Sequence, residues 1–407
     1  MSSLRELAAV GAYTDPRSGL VGVNRLALTD ADAAGRRLVR SWFEAAGLTI
    51  RVDKIGNVWA RRAGSDSSLA PVLSGSHIDS VPTGGAFDGV LGVLGALETI
   101  RTLNDAGLTT RRPLEIAFFT DEEGCRFGHD MCGSSVAAGR LPLDHALDLR
   151  DKFGVRLGDE LARIGFAGES EAVLAEKPHA YVECHIEQGP ILAAAGMELG
   201  VVTGVQAISW WELTIVGKSA HAGTTPMSLR KDPGLAAALI NVRIDEMARS
   251  GRYGEHMRAT MGRIDPVPGL VNIVPARVVC TVDLRNPDDD NMARAEADLF
   301  TYVKELEQRM GITIERRQTA VTRRVKFSAD VQAVIARHID RYGLKWQPIL
   351  SGAGHDAQEM SVLCPTAMVF VPGEYDGISH NPREYSTDLA CARGVQVLCD
   401  TLVELAS

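Results

Sequence analysis

The sequence lacks the features of membrane-spanning, disulfide-bonded and nucleic-acid-binding proteins. No apolar run approaches the roughly 18 residues that a membrane span needs, and the N-terminus MSSLRELAAVGAY has no basic segment before an apolar one. The seven cysteines are scattered and without CxxC spacing, which indicates neither a disulfide framework nor a thiolate zinc site. A formal charge of −9 disfavours nucleic acid and membranes as partners. We therefore expect a cytoplasmic protein that acts on a small substrate.

The composition is that of a globular protein with a large core. The chain has 407 residues, of which 45% are hydrophobic and 23% are charged. Because single cores stop growing at roughly 250 to 300 residues, this length predicts two domains.

Short apolar runs alternate with helical patterns in the first part of the chain and again near its end. Strands are predicted at residues 57–60, 72–76, 114–120 and 367–371, and helices at 30–47, 88–103, about 327–342 and 388–405. This alternation predicts an α/β domain with a mixed, largely parallel sheet flanked by helices. In such sheets, functional residues gather at the carboxyl ends of the strands.

The pattern changes from Trp210 onwards. Strand, helix, two strands, helix and strand are predicted at 211–216, 233–249, 257–262, 271–285, 289–310 and 313–316. This βαββαβ order is that of a ferredoxin-like unit, and the α/β pattern resumes after it. We predict a discontinuous, metal-binding catalytic domain of residues 1–209 and 323–407, with an inserted domain of residues 210–322.

Histidine and acid alternate at the end of the predicted strand 72–76. His77 and Asp79 lie two residues apart, so Asp79 can orient His77 in the way that metal-bound histidines require. Asp88 follows in a glycine-rich turn that opens a helix. Taken alone, His77 could be a hydrogen-bonded histidine without a metal, and Asp88 could be a helix N-cap.

Three acids, Asp121, Glu122 and Glu123, follow the predicted strand 114–120. Neighbours on an extended chain point to opposite sides, so one glutamate can bind metal while the other faces the substrate. A solvated acidic loop is the alternative for this segment alone.

Two further histidines complete a set of ligands. His185 alternates with Glu187 in ECHIEQG, and His380 lies in the polar turn ISHNP, where a lone histidine would be structural or exposed. The combined set contains imidazole and carboxylate ligands, no sulfur, and enough groups for two divalent ions if one acid bridges them. Its members are His77, Asp88, Glu123, His185 and His380.

The order of these motifs resembles that of a known family. GSHIDSVPTGGAFDG, TDEEGCRFG, ECHIEQG, KSAHAGTTP and ISHNP follow one another as in the hydantoinase/carbamoylase branch of the di-zinc aminoacylase and carboxypeptidase superfamily. This branch includes N-carbamoyl-L-amino acid hydrolases, allantoate amidohydrolases and β-ureidopropionases. The resemblance extends from about Arg25 to Asp388. It is specific because peptidase-type relatives usually have an acid at the position of His185.

The resemblance implies two divalent ions per subunit, with zinc expected and manganese, cobalt or nickel as alternatives. One ion would be held by His77, Asp88 and His185, and the other by Asp88, Glu123 and His380. Glu122 falls on the family's general base. With Asp79 orienting His77, these residues would form a catalytic centre for hydrolysis.

The resemblance also implies that the inserted domain is a lid and a homodimerisation domain. His221 and Asn272 fall on positions that contact the substrate or stabilise the oxyanion, and His221 typically comes from the partner subunit in this family. Arg285 lies off the apolar face of its predicted strand, and its planar guanidinium suits a substrate carboxylate. Without the family match, Arg285 would be read as a surface arginine.

Three positions in the catalytic domain also match substrate contacts of the family: Gln188, Gly354 and His355. The substrate is therefore expected to be a small ureide that carries a carboxylate.

The motifs leave several functions open. The first is hydrolysis of an N-carbamoyl-L-amino acid to the amino acid, ammonia and carbon dioxide. The second keeps this chemistry but acts on allantoate, ureidoglycolate or N-carbamoyl-β-alanine, and an aminoacylase or peptidase is a further variant. The third is a catalytically silent metal-binding protein, against which Glu122 argues because it has no evident structural task.

Overall fold

The chain divides into two units in the computed structural model, which describes residues 1–407. One unit consists of Met1–Gly204 and Lys326–Ser407, and the other of Val205–Val325. The boundaries predicted from sequence, at 209/210 and 322/323, lie within a few residues of these divisions. None of the helices combines the length and the apolar character that crossing a bilayer requires.

The first part of the larger unit alternates strands and helices. Its elements are α1 (Ser2–Ala8), β1 (Ala12–Thr14), β2 (Val21–Val23), α2 (Asp30–Ala45), β3 (Thr49–Val52), β4 (Val58–Arg62), β5 (Val72–His77), α3 (Val90–Asp105), β6 (Leu114–Phe119), α4 (Cys132–Ala137), α5 (Leu143–Asp148), α6 (Leu157–Ile164), β7 (Ala180–Ile186), α7 (Ile191–Ala194) and β8 (Leu199–Val205).

The smaller unit follows in the chain, and the larger unit then resumes. The smaller unit contains β9 (Ala207–Val216), β10 (Ala220–His221), α8 (Pro233–Arg249), β11 (Arg258–Thr260), β12 (Ile264–Val267), β13 (Ile273–Val274), β14 (Arg277–Asn286), α9 (Asp289–Met310) and β15 (Thr313–Thr322). After it come β16 (Val325–Lys326), α10 (Ala329–Arg341), β17 (Trp346–Ser351), α11 (Asp356–Met360), β18 (Thr366–Val371) and α12 (Asp388–Leu405).

A mixed sheet of nine strands forms the core of the larger unit, as the α/β prediction requires. Its order is β16-β8-β18-β7-β5-β6-β4-β3, with β17 also paired to β8. The central strands β18, β7, β5 and β6 are mutually parallel, whereas β4, β3 and β8 add antiparallel edges. Every residue of those four central strands is buried, which explains their continuous apolar runs.

The smaller unit has a separate antiparallel sheet with the path β11-β14-β9-β15, on which β12 also pairs with β14. Val278, Cys280, Val282 and Leu284 alternate along β14 and join a core that α8 and α9 cover. Asp232 and Asp288 cap the two helices by accepting main-chain N–H groups.

Helix α3 begins two residues later than predicted. Its N-cap is Gly89, which has φ +65°, so Asp88 precedes the helix and is not its cap. A Cβ atom at Gly89 would lie 2.3 Å from Nε2 of His77, so only glycine allows the chain to turn this close to that imidazole. The turn thereby sets Asp88 against the end of β5.

Candidate metal centre

The predicted ligands meet at the carboxyl ends of four adjacent parallel strands. His77 ends β5, Glu122 and Glu123 follow β6, and His185 lies near the end of β7. His380 belongs to the loop after β18. Because β6, β5, β7 and β18 are neighbours in the sheet, residues far apart in the chain converge at one edge.

Asp88 lies at the centre of this cluster. Its Oδ1 is 3.2 Å from Nε2 of His185 and 3.7 Å from Nε2 of His77, whereas its Oδ2 is 3.3 Å from Nε2 of His380. The two oxygens of one carboxylate thus face two different sets of imidazoles. This is the arrangement that a bridging ligand requires.

Two groups of ligand atoms share Asp88. The ligand atoms of His77, Asp88 and His185 lie within 4.8 Å of one another, and so do those of Asp88, Glu123 and His380. Nδ1 of His77 donates to the main-chain oxygen of Asp79 at 3.0 Å, and Nδ1 of His185 donates to that of Ile186 at 2.8 Å. These bonds leave Nε2 of each ring to face the carboxylate. The residues therefore fit divalent cations.

The electrostatics of the cluster favour positive charge between its members. Although burial opposes it, the surrounding carboxylates hold the pKa of His77 well above its usual value. The contact with Asp88 raises the pKa of His380 to about 9. Burial and the neighbouring Asp88 raise the pKa of Glu123 to about 7. Such a field attracts cations, which is the property expected of a metal site.

The carboxylates of the two glutamates lie against different histidines. Oε2 of Glu122 is 3.4 Å from Nε2 of His77, and Oε2 of Glu123 is 3.4 Å from Nε2 of His380. The segment is not extended, because Asp121 has φ +53° and Gly124 has φ +60°. A turn rather than strand alternation separates the two carboxylates.

The carboxylate of Asp79 binds the main chain of Glu122 and Glu123. It does not form a hydrogen bond with the ring of His77. Oδ1 of Asp79 is 3.8 Å from Nδ1 of His77, which is too long for a hydrogen bond. The carboxylate instead accepts the main-chain N–H groups of Glu122 at 3.3 Å and Glu123 at 3.4 Å. Asp79 thus orients His77 through its main-chain oxygen, at 3.0 Å from Nδ1, rather than through the carboxylate that the sequence prediction assigned to this task.

The predicted substrate residues of the larger unit lie around the same cluster. Gln188 donates through Nε2 to Oδ2 of Asp88 at 2.8 Å, while its buried Oε1 accepts no hydrogen bond. His355 is only 2% exposed, and its ring packs edge-on against that of His185 with centroids 4.5 Å apart. Gly354 packs beside Met131. The position of His355 suits support of His185, and a direct substrate contact stays a prediction.

His221 and Asn272 lie together in the smaller unit. β10 and β13 pair with His221 opposite Ile273, and Ala222 N donates to the main-chain oxygen of Asn272 at 2.9 Å. Nδ1 of His221 accepts the N–H groups of Gly223 at 3.1 Å and Thr224 at 3.3 Å. The proton of a neutral ring must therefore lie on Nε2. That exposed nitrogen is a hydrogen-bond donor.

Arg285 lies on the half-exposed face of β14, as the alternation predicts. Its guanidinium donates to both oxygens of Asp283, with Nε at 3.1 Å from each and Nη2 at 2.9 Å from Oδ2. A substrate carboxylate at Arg285 would compete with this acid.

Glu384 is a buried residue of this centre that the sequence reasoning missed. Its Oε1 accepts the N–H groups of Phe87 at 2.9 Å and Asp88 at 3.1 Å. Its Oε2 is 2.8 Å from Oγ of Ser379, which is also 2.9 Å from Oδ2 of Asp88. Glu384 thus ties the turn of Asp88 to the loop of His380. Its place four residues after His380, within the same turn, was the available signal.

We expect Glu384→Ala to weaken metal binding by about 10- to 100-fold, as loss of a residue that orients a ligand commonly does. The reason is that the main-chain N–H of Asp88 would lose its acceptor, and Ser379, which contacts the Asp88 carboxylate, would lose the partner that positions its hydroxyl. Metal retained after dialysis against graded chelator, measured by mass spectrometry, checks this. Glu374→Ala removes an exposed acid of the same loop and is the matched control. Equal metal retention in both variants would show that Glu384 has no such role.

Glu183 is a second buried acid that was not predicted. It accepts from Oγ of Ser76 at 2.7 Å, the hydroxyl of Tyr181 at 3.0 Å and Ala357 N at 3.0 Å. It therefore joins β5, β7 and the start of α11 behind His185. The alternation of Glu183 and His185 along β7, continued by Glu187 just after the strand, could have indicated it.

Comparisons with known proteins agree with this geometry. A sequence model of peptidase family M20/M25/M40 matches residues 73–404. An N-carbamoyl-L-amino-acid amidohydrolase of Rhizobium meliloti is 40% identical, with 99% of this chain and 95% of that protein aligned. A ureidoglycolate hydrolase of Arabidopsis thaliana is 33% identical over 94% of this chain and 82% of its own length. The crystal structure of a hydantoinase/carbamoylase family amidase from Burkholderia multivorans superposes with a TM-score of 0.90 at 42% identity, covering 100% of this chain and 96% of the other.

Proposed function

The chain belongs to peptidase family M20/M25/M40 and to its hydantoinase/carbamoylase amidases, and on that premise we propose that it hydrolyses an N-carbamoyl-L-amino acid. The products are the amino acid, ammonia and carbon dioxide. The observation that carries this proposal is the bridging position of Asp88, with the buried Glu122 beside His77.

The five ligands suit two divalent cations, which we propose to be zinc, with manganese, cobalt or nickel as alternatives. When bound, such cations lower the pKa of water and polarise a carbonyl oxygen. Glu122 belongs to neither ligand group, so its carboxylate is available to take a proton from the attacking water.

Glu122 then delivers that proton to the terminal nitrogen of the ureide as its C–N bond breaks. Water adds to the carbamoyl carbon, ammonia leaves, and the N-carboxy amino acid that remains loses carbon dioxide to give the free amino acid. Burial raises the pKa of Glu122 well above its usual value, which suits a group that must accept and return a proton. No covalent enzyme intermediate is required.

We propose that the unit Val205–Val325 is the lid and homodimerisation unit, with His221 and Asn272 as donors to the oxyanion. The support is that His221 is exposed and carries its proton on Nε2, so it can donate to developing negative charge. Gln188 contributes its unpaired Oε1 as an acceptor for the substrate.

Arg285 is proposed to bind the substrate carboxylate with two parallel hydrogen bonds. Arg285→Lys should raise KM for carboxylated ureides by about 10- to 100-fold, because lysine cannot reproduce the planar pair of donors. Steady-state kinetics check this. Arg277→Lys makes the same change on the same face of β14 and should leave KM unchanged. An unchanged KM in Arg285→Lys would remove the carboxylate anchor.

A second candidate is hydrolysis of ureidoglycolate, allantoate or N-carbamoyl-β-alanine, which the relative named ureidoglycolate hydrolase favours. The same metal ligands and the same base would serve each of them. Substrate length and the group next to the carboxylate distinguish these molecules.

Ammonia release tests both candidates. The purified protein is assayed with several N-carbamoyl-L-amino acids, N-carbamoyl-β-alanine, allantoate and ureidoglycolate, each with and without chelator. N-acetyl amino acids and dipeptides, followed by amine release, test the aminoacylase and peptidase activities. Chelator-sensitive ammonia release that is fastest with a carbamoyl amino acid is expected. Absence of ammonia from every ureide would contradict the proposal.

A further inference from the structure

Arg258 lies directly opposite Arg285 in the sheet of the smaller unit. The two arginines are partners in the antiparallel pairing of β11 with β14. Leu284 and Ala259, the next pair along these strands, pack into the core, so both arginine side chains lie on the other face of the sheet. Residues paired in this way have Cβ atoms about 5 Å apart, and like charges there repel each other. An anion between the two guanidinium groups would relieve this repulsion.

The side chain of Arg258 extends towards the end of β14 that carries Arg285. Nη1 of Arg258 donates to Oε1 of Gln206 at 3.2 Å. Gln206 directly precedes β9, whose first residue, Ala207, pairs with Asn286 at the end of β14. Because β14 lies between β11 and β9, the Arg258 side chain must extend across β14 to reach Gln206. Its guanidinium therefore lies beside the position of Arg285.

The charges of this cluster are unequal. Asp283 accepts hydrogen bonds from Nε and Nη2 of Arg285 and neutralises that side chain. Whereas Arg263 and Arg285 form ion pairs with acids, Arg258 has the neutral Gln206 as its hydrogen-bond partner. Two guanidinium groups and one carboxylate leave one positive charge among Arg258, Asp283 and Arg285. A second carboxylate would balance it.

We propose that Arg258 binds the substrate carboxylate together with Arg285. This inference rests on the proposed role of Arg285 and adds the second cation of the carboxylate site. A substrate carboxylate must compete with Asp283 for Arg285, and Arg258 supplies the positive charge that offsets this competition. Both arginines are accessible to a ligand, since Arg258 is exposed and the Arg285 side chain is 24% exposed. The site therefore selects ureides with a carboxylate over neutral ones.

The test compares an N-carbamoyl amino acid with its carboxamide, which has no charge at that end. Ammonia release gives kcat/KM for both compounds, and Ki against the acid is used if the amide is not cleaved. Arg258→Gln should lose about 10-fold or more for the acid, because a charge-assisted hydrogen bond is lost, but less than about threefold for the amide. Arg258→Lys keeps the charge and should recover part of the loss. Metal content should be unchanged in both variants.

Arg263→Gln is the matched control, because it removes an exposed arginine just before β12 that is already paired with Asp265 and Glu212. It should alter the constants for both compounds by less than about threefold. Equal losses for the acid and the amide in Arg258→Gln, no loss for either, or the same selective loss in Arg263→Gln would overturn the assignment. If the unmodified protein released no ammonia from any ureide, the proposed function itself would fail, which is a different result.

Discussion

Asp88→Ala should abolish metal binding and reduce ureide hydrolysis by about 10⁴-fold or more, because several kcal/mol of electrostatic stabilisation would be lost and each 1.4 kcal/mol is a factor of ten. Asp88 has an oxygen 3.2 Å from His185 and another 3.3 Å from His380. Its removal therefore takes a ligand from both groups at once. The loss should exceed that of any variant that affects one group.

Metal content and ammonia release, measured on the same preparation, check the Asp88 prediction. Asp105→Ala, at an exposed position at the end of α3, should behave as the unmodified protein. Circular dichroism establishes that both variants are folded. Retention of both metal and turnover by Asp88→Ala would mean that the cluster is not the active centre.

Glu122→Gln should separate catalysis from metal binding. Glutamine keeps the size of the side chain but cannot take a proton, so turnover should fall by about 10² to 10⁴-fold while metal content stays normal. Glu123→Gln should show the reverse order of effects, because Glu123 belongs to a ligand group and Glu122 does not. It should lose metal first and regain part of its activity when metal is supplied in excess.

Both Glu122→Gln and Glu123→Gln remove one acid from the same loop. A difference between the two variants therefore cannot come from the loss of an acid as such. Metal content by mass spectrometry and kcat at saturating substrate distinguish the two variants. Near-normal kcat in Glu122→Gln would reject this residue as the base. Loss of metal from Glu122→Gln would instead make it a ligand.

Elements with strong local signals were predicted well from the sequence. The helices Asp289–Met310 and Asp388–Leu405 have the predicted bounds, because Asp288 and Thr387 accept main-chain N–H groups at their starts. The strand Val72–His77 extends one residue beyond its prediction. Capping residues and apolar runs act locally, so the sequence alone shows them.

Elements that depend on tertiary pairing were predicted poorly. The single strand expected over 271–285 is two strands, Ile273–Val274 and Arg277–Asn286, separated at Pro275, which has no N–H to donate. The exposed strand Ile264–Val267 was missed because its partner, Arg277–Cys280, lies later in the chain. Thr313–Thr322 runs well beyond the predicted 313–316, since pairing with β9 continues across its exposed residues.

The same distinction applies to the candidate site. The residue types and the order of the motifs indicate a metal centre from the sequence alone, and its predicted ligands are His77, Asp88, Glu123, His185 and His380. Glu183 stands in the ECHIEQG motif and Glu384 lies four residues after His380, so each had a weak local signal. Their roles follow from contacts with distant segments, Ser76 and Ala357 for Glu183 and Phe87 and Asp88 for Glu384, which the sequence does not contain.

Metal titration of the metal-depleted protein, followed by ammonia release from an N-carbamoyl amino acid, tests the central claim most directly. We expect no turnover without metal and a rise in activity that ends at about two equivalents per chain, one for each group of three ligands around Asp88. Full turnover after metal removal, or no ammonia from the fully loaded protein, would contradict the account.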